Sequence, residues 1–354
     1  MAWHARGVMA ANSLQAADAA GEAKDEETEE PVLAFPLVLK GMHNVNRACE
    51  SLLSLTYNSM QSLHKVKKGK TINVITSSDQ KYMPGLIALI NSTIVHTSNP
   101  LAFYIVADAK PELHEQFQEF LYSLFPKGRF TKQTVVGFDT ARVAKLIKTY
   151  PSVMNDPKIH ANPNNYARFY FHEIFPELSK AVYLDPDTIM LGNIAELGTI
   201  LDHQSPIVQK AFDKDEPYFN AGVAVINFDK WRSQNVTGVV EHWLALHKEQ
   251  KLWSWGTQPP LMAAFYRNFH MLDSSWNVRH FGAKGMVPPL VEFVRAKVLH
   301  WNGANKPWSA ECRRDSTCFR SCWAPFYNHT LIKELLAASP DLASHYSSLL
   351  RAVP

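Results

Sequence analysis

The chain has 354 residues, of which 46% are hydrophobic and 19% are charged, and its formal net charge is +3. This length and apolar content allow one large buried core or two smaller ones. The net charge is too small, and the Lys and Arg residues are too scattered, to indicate nucleic-acid binding. No run approaches the ~20 apolar residues that a membrane-crossing helix needs. We therefore expect a globular protein with no nucleic-acid partner and no membrane span.

Composition and hydrophobic spacing divide the chain into four segments. Residues 1–37 contain an acidic run and too few apolar residues to offset the entropy of ordering, which predicts a disordered tail. Residues 38–70 carry apolar side chains near helical spacing and predict a leading amphipathic helix. Residues 71–330 form the predicted main domain, and residues 331–354 form a predicted C-terminal helical segment.

The main domain begins with alternating strand and helix patterns. Strands are predicted at Thr71–Thr76 and Leu101–Ala107, and helices at Pro84–His96 and Glu112–Leu124. This alternation implies a parallel sheet with helices packed against it.

The middle of the chain leads to a strand that ends on acidic residues. Two helices are predicted, at Ala141–Lys148 and Tyr166–Ile174, and a strand follows at Ala181–Leu184. Ligands of open α/β sheets bind at the carboxyl ends of the strands. The residues that follow Leu184 are therefore candidates for a binding site.

Further downstream the pattern predicts one more strand and two helices. The strand is Gly222–Asn227, and Asp229 is predicted to cap a helix that runs to about His247. The second helix is Gln258–Tyr266, because prolines at positions 259 and 260 fit the first turn of a helix.

The strand at Ala181–Leu184 ends on Asp185 and Asp187, which are separated by Pro186. Side chains at positions i and i+2 of an extended backbone point the same way, so both carboxylates can face one cation. Pro186 stiffens the turn. Hard oxygen ligands of this kind suit Mg²⁺ or Mn²⁺ carrying a diphosphate. The alternative is a solvated acidic turn, because Asp-x-Asp is a short pattern.

A second short apolar strand ends at His300, and a loop containing Gly303 and Lys306 follows it. His300 can supply a third metal ligand, and imidazole beside two carboxylates shifts the preference from Mg²⁺ towards Mn²⁺. Lys306 can contact the phosphates that the same metal binds. Taken alone, such a histidine is more often a hydrogen-bonded structural residue.

Three of the four cysteines, Cys312, Cys318 and Cys322, lie in one polar segment, and Cys49 lies far upstream. This spacing favours one local disulfide in an oxidising compartment over a structural zinc, because no Cys-x-x-Cys pair or nearby histidine completes four ligands. Asn-x-Ser/Thr sequons are compatible with the secretory pathway. They begin at Asn91, Asn235 and Asn328.

Four motifs, in order and spacing, carry a resemblance to a known family. They are Asn165-Tyr166-Ala167-Arg168, Tyr183-Leu184-Asp185-Pro186-Asp187, Phe219-Asn220-Ala221-Gly222-Val223, and His300-Trp301-Asn302-Gly303 with Lys306-Pro307-Trp308. From about Thr71 to Trp308 the chain resembles glycosyltransferase family 8. The segments Trp255 to Leu261 and Trp276 to His280 more closely resemble the animal glycosyltransferase 8 domain-containing proteins.

The resemblance implies an α/β fold of the GT-A type, in which a mixed, mostly parallel, Rossmann-like sheet flanked by helices binds a nucleotide and is joined to an acceptor half. It also implies transfer of a hexosyl or pentosyl unit from a UDP-sugar to a glycan or another hydroxyl acceptor. The anomeric configuration is retained, and the reaction depends on Mn²⁺, with Mg²⁺ as the alternative ion. The family's donors differ from member to member, and no residue selects one of them.

Carried over by motif, the resemblance implies a donor site. Ser78, Asp79 and Tyr82 match the uracil-binding segment, in which the aspartate forms a hydrogen bond and the tyrosine stacks. His160 and Arg168 match positions near the diphosphate and the donor sugar. Without the motifs, the uracil-binding residues would be read as a helix N-terminus, and Arg168 as a residue on a helix surface.

The remaining donor positions follow from the later motifs. Asn220, Ala221 and Gly222 match the loop beneath the sugar, where small residues let the backbone approach a ligand. Gln258 matches the residue beneath the anomeric carbon. An amide is a poor nucleophile, so the resemblance favours attack from the leaving-group side, with Gln258 supporting an oxocarbenium-like sugar.

The implied metal ligands are Asp185, Asp187 and His300, with Gly303 and Lys306 in the loop that meets the diphosphate. A metal held there acts as a Lewis acid on the departing diphosphate. The implied catalytic residues are Gln258, Arg168 and Lys306.

Two other functions fit part of the sequence. The strand followed by Asp185-Pro186-Asp187-Thr188 also resembles the nucleophile motif of haloacid-dehalogenase-like phosphatases, although that fold needs the motif near the start of its domain. A GT-A domain that binds a nucleotide or glycan without turnover is the other alternative. Thr257 and Pro259 stand where many family members have acidic residues beside the glutamine.

By kinship we expect the Golgi lumen as the location and an incomplete N-terminus, because family members are anchored by an N-terminal membrane helix.

Overall fold

A computed structural model of the chain describes Cys49 and residues 69–108, 110–125, 132–141, 143, 163–199, 219–250, 252–253, 256–266 and 268–352. The predicted tail and most of the predicted leading helix lie outside these residues. His160 and most of the predicted helix Ala141–Lys148 also lie outside them.

Within the described residues the strands are β1 Ile72–Ser78, β2 Leu101–Ala107, β3 Lys132–Val136, β4 Lys180–Leu184, β5 Thr188–Met190, β6 Val223–Asn227 and β7 Val298–His300. Five of them form one sheet in the order β3-β2-β1-β4-β6. Strands β1 to β4 pair in parallel, and β6 runs antiparallel to β4. The sheet is therefore mixed and mostly parallel, as the family resemblance implies.

The α-helices of the described residues are α1 Met83–Val95, α2 Pro111–Leu124, α3 Phe171–Ile174, α4 Ala195–Thr199, α5 Phe228–Ser233, α6 Val236–Gln250, α7 Gln258–Ala264, α8 Leu290–Val294, α9 His329–Ala337, α10 Pro340–His345 and α11 Ser347–Arg351. Six 3-10 helices complete them: Pro163–Phe169, Ser274–Asn277, Cys312–Arg314, Ser316–Cys318, Arg320–Cys322 and Ala324–Phe326. None of these helices combines the length and apolar character that crossing a lipid bilayer requires.

The main sheet is buried on both faces, which explains the continuous apolar runs of its central strands. All seven residues of β2 are buried. Alternate residues of β1 point into two different cores: Val74 packs with α1 and α2, and Ile75 packs with the 3-10 helix Pro163–Phe169 and α3. Helices cover both faces of the sheet, so a ligand can reach it at the strand ends.

Helix α1 approaches the acidic loop closely because Gly85 has no side chain. A Cβ on Gly85 would lie 2.3 Å from the carbonyl oxygen of Pro186 and 2.5 Å from the indole ring of Trp308. The first turn of α1 therefore packs directly against the loop that carries Asp185 and Asp187. Any larger residue at Gly85 would push that loop away.

A second sheet of two strands brings His300 to the acidic pair. Strands β5 and β7 are antiparallel, and Thr188 lies opposite His300. The amide of Trp301 donates to the carbonyl of Asp187 over 2.9 Å. Residues more than a hundred positions apart in sequence thus become neighbours through backbone pairing.

Two predicted helices differ from the structure. Tyr166–Ile174 is a 3-10 helix, Pro163–Phe169, followed by the short helix α3. The helix expected to run from Asp229 is two helices, α5 and α6, and its N-cap is Asn227, whose Oδ1 accepts from the amide of Lys230. The break falls at Asn235, whose φ is 48°, a backbone conformation that asparagine tolerates better than most residues.

The cysteine segment forms two disulfides. Cys312 pairs with Cys318, a local bridge of the kind that the spacing favoured without selecting the pair. Cys322 pairs with Cys49 across a sequence separation of 273 residues. The first bridge closes a short loop, whereas the second links the first described residue to the C-terminal part of the chain.

Candidate metal and donor site

The turn after β4 is held in place by backbone hydrogen bonds. The amide of Asp185 donates to the carbonyl of Gly222 over 2.7 Å, and the carbonyl of Asp185 accepts from both the amide and the hydroxyl of Thr188. Asp185 and Asp187 therefore project from a fixed turn at the carboxyl end of the strand. This turn also joins the acidic pair to the loop that precedes β6.

The two aspartates share one arrangement: one oxygen meets a cationic side chain, and the other faces His300. Asp185 Oδ1 lies 3.0 Å from Arg168 Nη2, and its Oδ2 lies 3.8 Å from His300 Nε2. Asp187 Oδ2 lies 2.5 Å from Lys306 Nζ, and its Oδ1 lies 3.3 Å from His300 Nε2. Two carboxylate oxygens and one ring nitrogen therefore converge on one point.

This cluster has the donor set of a divalent-cation site. One ligand atom from each of Asp185, Asp187 and His300 lies within 4.8 Å of the others. Asp187 and His300 are buried, whereas Asp185 is half-buried, so the site is open on one side. Two carboxylates and an imidazole fit Mn²⁺, and a partly open site leaves room for phosphate oxygens.

Both members of the Lys306–Asp187 pair are charged at neutral pH. Burial by itself would raise the pKa of Asp187, but Lys306 and His300 outweigh it and hold that pKa well below its usual range. Burial would likewise lower the pKa of Lys306, but Asp187 outweighs it and raises that pKa. The site therefore presents an ionised carboxylate beside a permanent cation.

Tyr183 and Arg168 together support Asp185. The Tyr183 hydroxyl donates to Asp185 Oδ1, the same oxygen that Arg168 contacts. The Arg168 guanidinium carbon lies 4.9 Å from the centroid of the Tyr183 ring, within the range of a cation–π contact. Burial raises the pKa of Tyr183 well above its usual value, so the phenol keeps the proton that it donates.

The loop from Asn220 to Gly222 lies against this cluster. A Cβ on Gly222 would lie 2.3 Å from His300 Cε1 and 2.7 Å from Asp185 Oδ2, so only glycine allows the close approach. The amide of Ala221 donates to Gln258 Oε1, and the amide of Gly222 donates to Asn220 Oδ1, both over 3.0 Å. Gln258, at the start of α7, is thereby joined to the loop.

The predicted uracil-binding segment lies at the end of β1. Asp79 Oδ1 accepts from the amides of Lys81 and Tyr82, at 2.9 Å and 3.1 Å, which fixes the turn into α1. Ser78 is buried and donates to the carbonyl of Asp79. The Tyr82 ring lies 5.2 Å from Lys306 Nζ and packs edge-on against Trp308. Lys306 therefore lies between this segment and the acidic pair.

The loop that carries Lys306 depends on two glycines. Gly303 has a φ of 111°, which disfavours other residues, and a Cβ there would lie 2.6 Å from the carbonyl oxygen of Gly282. Lys306 Nζ also donates to the carbonyl of Trp301 over 2.7 Å. The loop is thus folded back on itself, with the ammonium aimed at Asp187.

The structure brings together every predicted site residue that it describes. Arg168, Asp185, Asp187, His300 and Lys306 form the charged centre. Asn220, Ala221, Gly222 and Gln258 lie on one side of it, Ser78, Asp79 and Tyr82 lie on the other, and Gly303 shapes the lysine loop. The roles assigned to them stay predictions.

Two side chains of the site had no role in the sequence analysis. Tyr183 is the first residue of the motif that contains Asp185 and Asp187, but its type and position are those of an ordinary buried strand residue. Asn277 belongs to the segment Trp276 to His280, and its Oδ1 lies 2.9 Å from His300 Nδ1. The Tyr183 contact follows the i, i+2 spacing of a strand, which was the available signal, whereas the Asn277 contact joins residues 23 positions apart and follows no local spacing.

Comparison with known proteins places the chain in a family. The sequence profile described as Glycosyl transferase family 8 matches residues 73–312. Glycosyltransferase 8 domain-containing protein 1 of Rattus norvegicus is 29% identical over 303 residues, covering 74% of this chain and 78% of that protein. Probable galacturonosyltransferase-like 10 of Arabidopsis thaliana is 26% identical over 302 residues, covering 77% and 80%.

A solved structure agrees with the fold. The galactosyltransferase LgtC, in complex with donor and acceptor sugar analogues, matches with a TM-score of 0.53 at 19% identity, covering 75% of this chain and 96% of that chain. The match is to a GT-A fold and leaves no support for the phosphatase alternative. The chain therefore belongs to glycosyltransferase family 8 and is a glycosyltransferase with a GT-A fold.

Proposed function

We propose that this protein transfers a hexosyl or pentosyl unit from a UDP-sugar to a hydroxyl of a glycan or glycoconjugate, with Mn²⁺ as cofactor and with retention of configuration. The observation that carries the proposal is the convergence of Asp185, Asp187 and His300 between two cationic side chains, Arg168 and Lys306. Such a centre suits a diphosphate leaving group.

Asp185 Oδ2, Asp187 Oδ1 and His300 Nε2 would hold the cation. Bound there, a divalent ion supplies Lewis-acid stabilisation of the negative charge that develops on the leaving UDP. Arg168 and Lys306 contact the opposite carboxylate oxygens, which holds both aspartates in one orientation. Mn²⁺ is the ion that a mixed oxygen and imidazole set favours.

The donor would lie along a line from β1 to α7. Tyr82 offers a ring for stacking on uracil, and Asp79 offers a carboxylate for its imide. Lys306, which lies beside the Tyr82 ring, is placed to pair with the phosphates. The loop Asn220–Gly222 and the amide of Gln258 would lie beneath the sugar.

Retention requires that the acceptor be added on the face that the diphosphate leaves, and the residue proposed beneath the sugar favours one of the two routes to it. Gln258 Oε1 accepts from the amide of Ala221, so that oxygen is engaged with the backbone, and an amide is a poor nucleophile. We therefore favour attack by the acceptor hydroxyl from the face that the diphosphate leaves. The C–O bond to UDP breaks, the new glycosidic bond forms, and a phosphate oxygen of UDP takes the hydroxyl proton.

A donor panel tests the proposal. UDP-galactose, UDP-glucose, UDP-xylose, UDP-N-acetylglucosamine and UDP-galacturonate are each incubated with the protein and Mn²⁺, and the release of UDP is measured. We expect release from at least one donor, its loss with EDTA, and its loss in the Asp187→Asn variant. UDP binding without turnover of any donor would instead support the binding-domain alternative, and the transferase proposal would be withdrawn.

We also propose an oxidising compartment, the Golgi lumen, as the place of action. Two disulfides that include all four cysteines support it, because such bridges persist where thiols are not kept reduced. Immunofluorescence against a Golgi marker in cells that produce the natural protein tests this, and a cytosolic pattern would contradict it.

A further inference from the structure

Asn277 lies between the proposed metal centre and the proposed sugar loop. It is the last residue of the 3-10 helix Ser274–Asn277, and its side chain contacts both sides. Its Oδ1 lies 2.9 Å from His300 Nδ1. Its Nδ2 lies 3.0 Å from Asn220 Oδ1 and 3.3 Å from the carbonyl oxygen of Asn220.

The orientation of each amide in this chain of contacts is fixed by a backbone group. The amide of Gly222 can only donate, so the Asn220 atom that it meets is the oxygen. The backbone carbonyl of Asn220 can only accept, so the Asn277 atom that faces it is the nitrogen. The other end of the Asn277 amide, which faces His300 Nδ1, is therefore the oxygen.

This orientation decides the tautomer of His300. An oxygen that only accepts requires a hydrogen on Nδ1, which leaves the lone pair of the neutral ring on Nε2. Nε2 is the atom that faces Asp185 and Asp187. The hydrogen bond that His300 Nδ1 donates to Asn277 Oδ1 therefore leaves Nε2 as the nitrogen that would bind a cation.

Asn277 itself is held by rigid surroundings. Trp276 beside it is buried, and Asp273 Oδ1 accepts from the amide of Ser275 at the start of the same turn. The next residue, Val278, exchanges backbone hydrogen bonds with β7: its amide donates to Val298, and its carbonyl accepts from the amide of His300. Asn277 and His300 are thus fixed to the same backbone ladder.

We propose that Asn277 is a positioning residue with two effects: it presents Nε2 of His300 to the metal, and it fastens the sugar loop to the metal centre through Asn220. This inference rests on the proposed function, because it assumes a metal at His300. Removing a hydrogen-bond partner of a metal-bound histidine typically lowers metal affinity about 10- to 100-fold.

Two substitutions separate the two effects. Asn277→Leu has similar size and removes both contacts. Asn277→Asp keeps an oxygen against His300 Nδ1 but sets a second oxygen against the two oxygens of Asn220, which breaks only the loop contact. Asn73→Leu is the matched control, because Asn73 is a half-buried asparagine with a hydrogen bond to Lys180 at the far end of β1.

Two readouts are measured on the whole chain without substrate. The first is the affinity for Mn²⁺ alone, from electron paramagnetic resonance of the free ion. The second is hydrogen exchange of the peptide that spans Asn220 to Gly222. We expect Asn277→Leu to weaken Mn²⁺ binding at least 10-fold and Asn277→Asp to keep it within about threefold, while both speed exchange of the loop. The Asn73→Leu control should change neither.

Two results of the Mn²⁺-binding measurement would overturn the inference. Mn²⁺ binding by Asn277→Leu as tight as in the unsubstituted protein overturns the inference, as does an equal loss in Asn277→Asp. If Asn277→Leu does not fold, Asn277→Asp still tests the inference, because that variant must bind Mn²⁺ within about threefold and must also speed exchange of the loop; failure of either result overturns the inference. Failure of the unsubstituted protein to bind Mn²⁺ removes the proposed function and the inference together, whereas normal binding that ignores Asn277 removes only the inference.

Discussion

The Lys306 ammonium and the Asp187 carboxylate form an ion pair 2.5 Å long beside the proposed metal centre, with side chains only 10% and 8% exposed. Breaking a buried pair leaves one charge without compensation, which costs about 3–5 kcal/mol. The same lysine contacts the ring of Tyr82, so it joins the predicted uracil segment to the acidic turn. One residue therefore affects stability, metal binding and donor binding.

The first prediction concerns the pH dependence of this pair. Because the folded protein lowers the pKa of Asp187, the pair stabilises the fold above the unfolded carboxyl pKa of about 3.9 and loses that effect as the pH falls further. We expect Lys306→Met to lower the free energy of unfolding by about 3–5 kcal/mol at pH 7, and the deficit to shrink below about pH 4. Urea unfolding in EDTA between pH 3 and 8 measures it. A deficit that does not change with pH would contradict this.

The second prediction concerns Gly222. A methyl group there would lie 2.3 Å from His300 Cε1, so Gly222→Ala must displace the histidine or the loop. We expect weaker Mn²⁺ binding and at least a 10-fold lower rate of UDP release. Isothermal titration with Mn²⁺ and the donor assay measure the two effects. Gly69→Ala is the control, because its nearest contact would be an ordinary 3.5 Å.

The third prediction concerns the Tyr183 hydroxyl. Tyr183→Phe removes one of the two donors to Asp185 Oδ1 and leaves Arg168 in place. A hydrogen bond to a charged group contributes about 1.5–3 kcal/mol, so we expect roughly 10-fold or greater loss in donor turnover. Tyr170→Phe is a matched control, because Tyr170 donates to the carboxylate of Glu241 and has no part in the proposed site. Equal effects in both variants would show that the loss is general.

The fourth prediction concerns Gln258. If it supports the sugar without bonding to it, Gln258→Ala should lower turnover but leave measurable transfer, and the product should keep the donor's anomeric configuration. Nuclear magnetic resonance of the product measures the configuration. A glycosyl adduct found on Gln258 by mass spectrometry would overturn attack from the leaving-group side.

The fifth prediction compares the two disulfides. A bridge stabilises a protein more when it closes a longer loop, typically by 2–4 kcal/mol. Cys49 and Cys322 are 273 residues apart, whereas Cys312 and Cys318 are 6 apart. We therefore expect Cys49→Ser with Cys322→Ser to lower the thermal midpoint more than Cys312→Ser with Cys318→Ser. The reverse order would mean that local strain or packing dominates.

Much of the fold was predictable because it depends on local patterns. Apolar runs of strand length predicted β1, β2, β4 and β6 close to their observed bounds, and the predicted short strand that ends at His300 is β7. Strands β3 and β5 were not predicted. The predicted helices that differ do so for local reasons as well. The 3-10 helix carrying Arg168 and the left-handed Asn235 are conformations that hydrophobic spacing does not distinguish from an α-helix.

The sequence by itself determined the alternating α/β order, the acidic pair at a strand end and the family motifs, because each is a property of neighbouring residues. Only the tertiary structure decided that β6 runs antiparallel, that β7 pairs with β5, and that Cys49 reaches Cys322. It also decided that Asn277 meets His300. These contacts join residues far apart in the chain, and no local periodicity records which distant backbone a strand or side chain will meet.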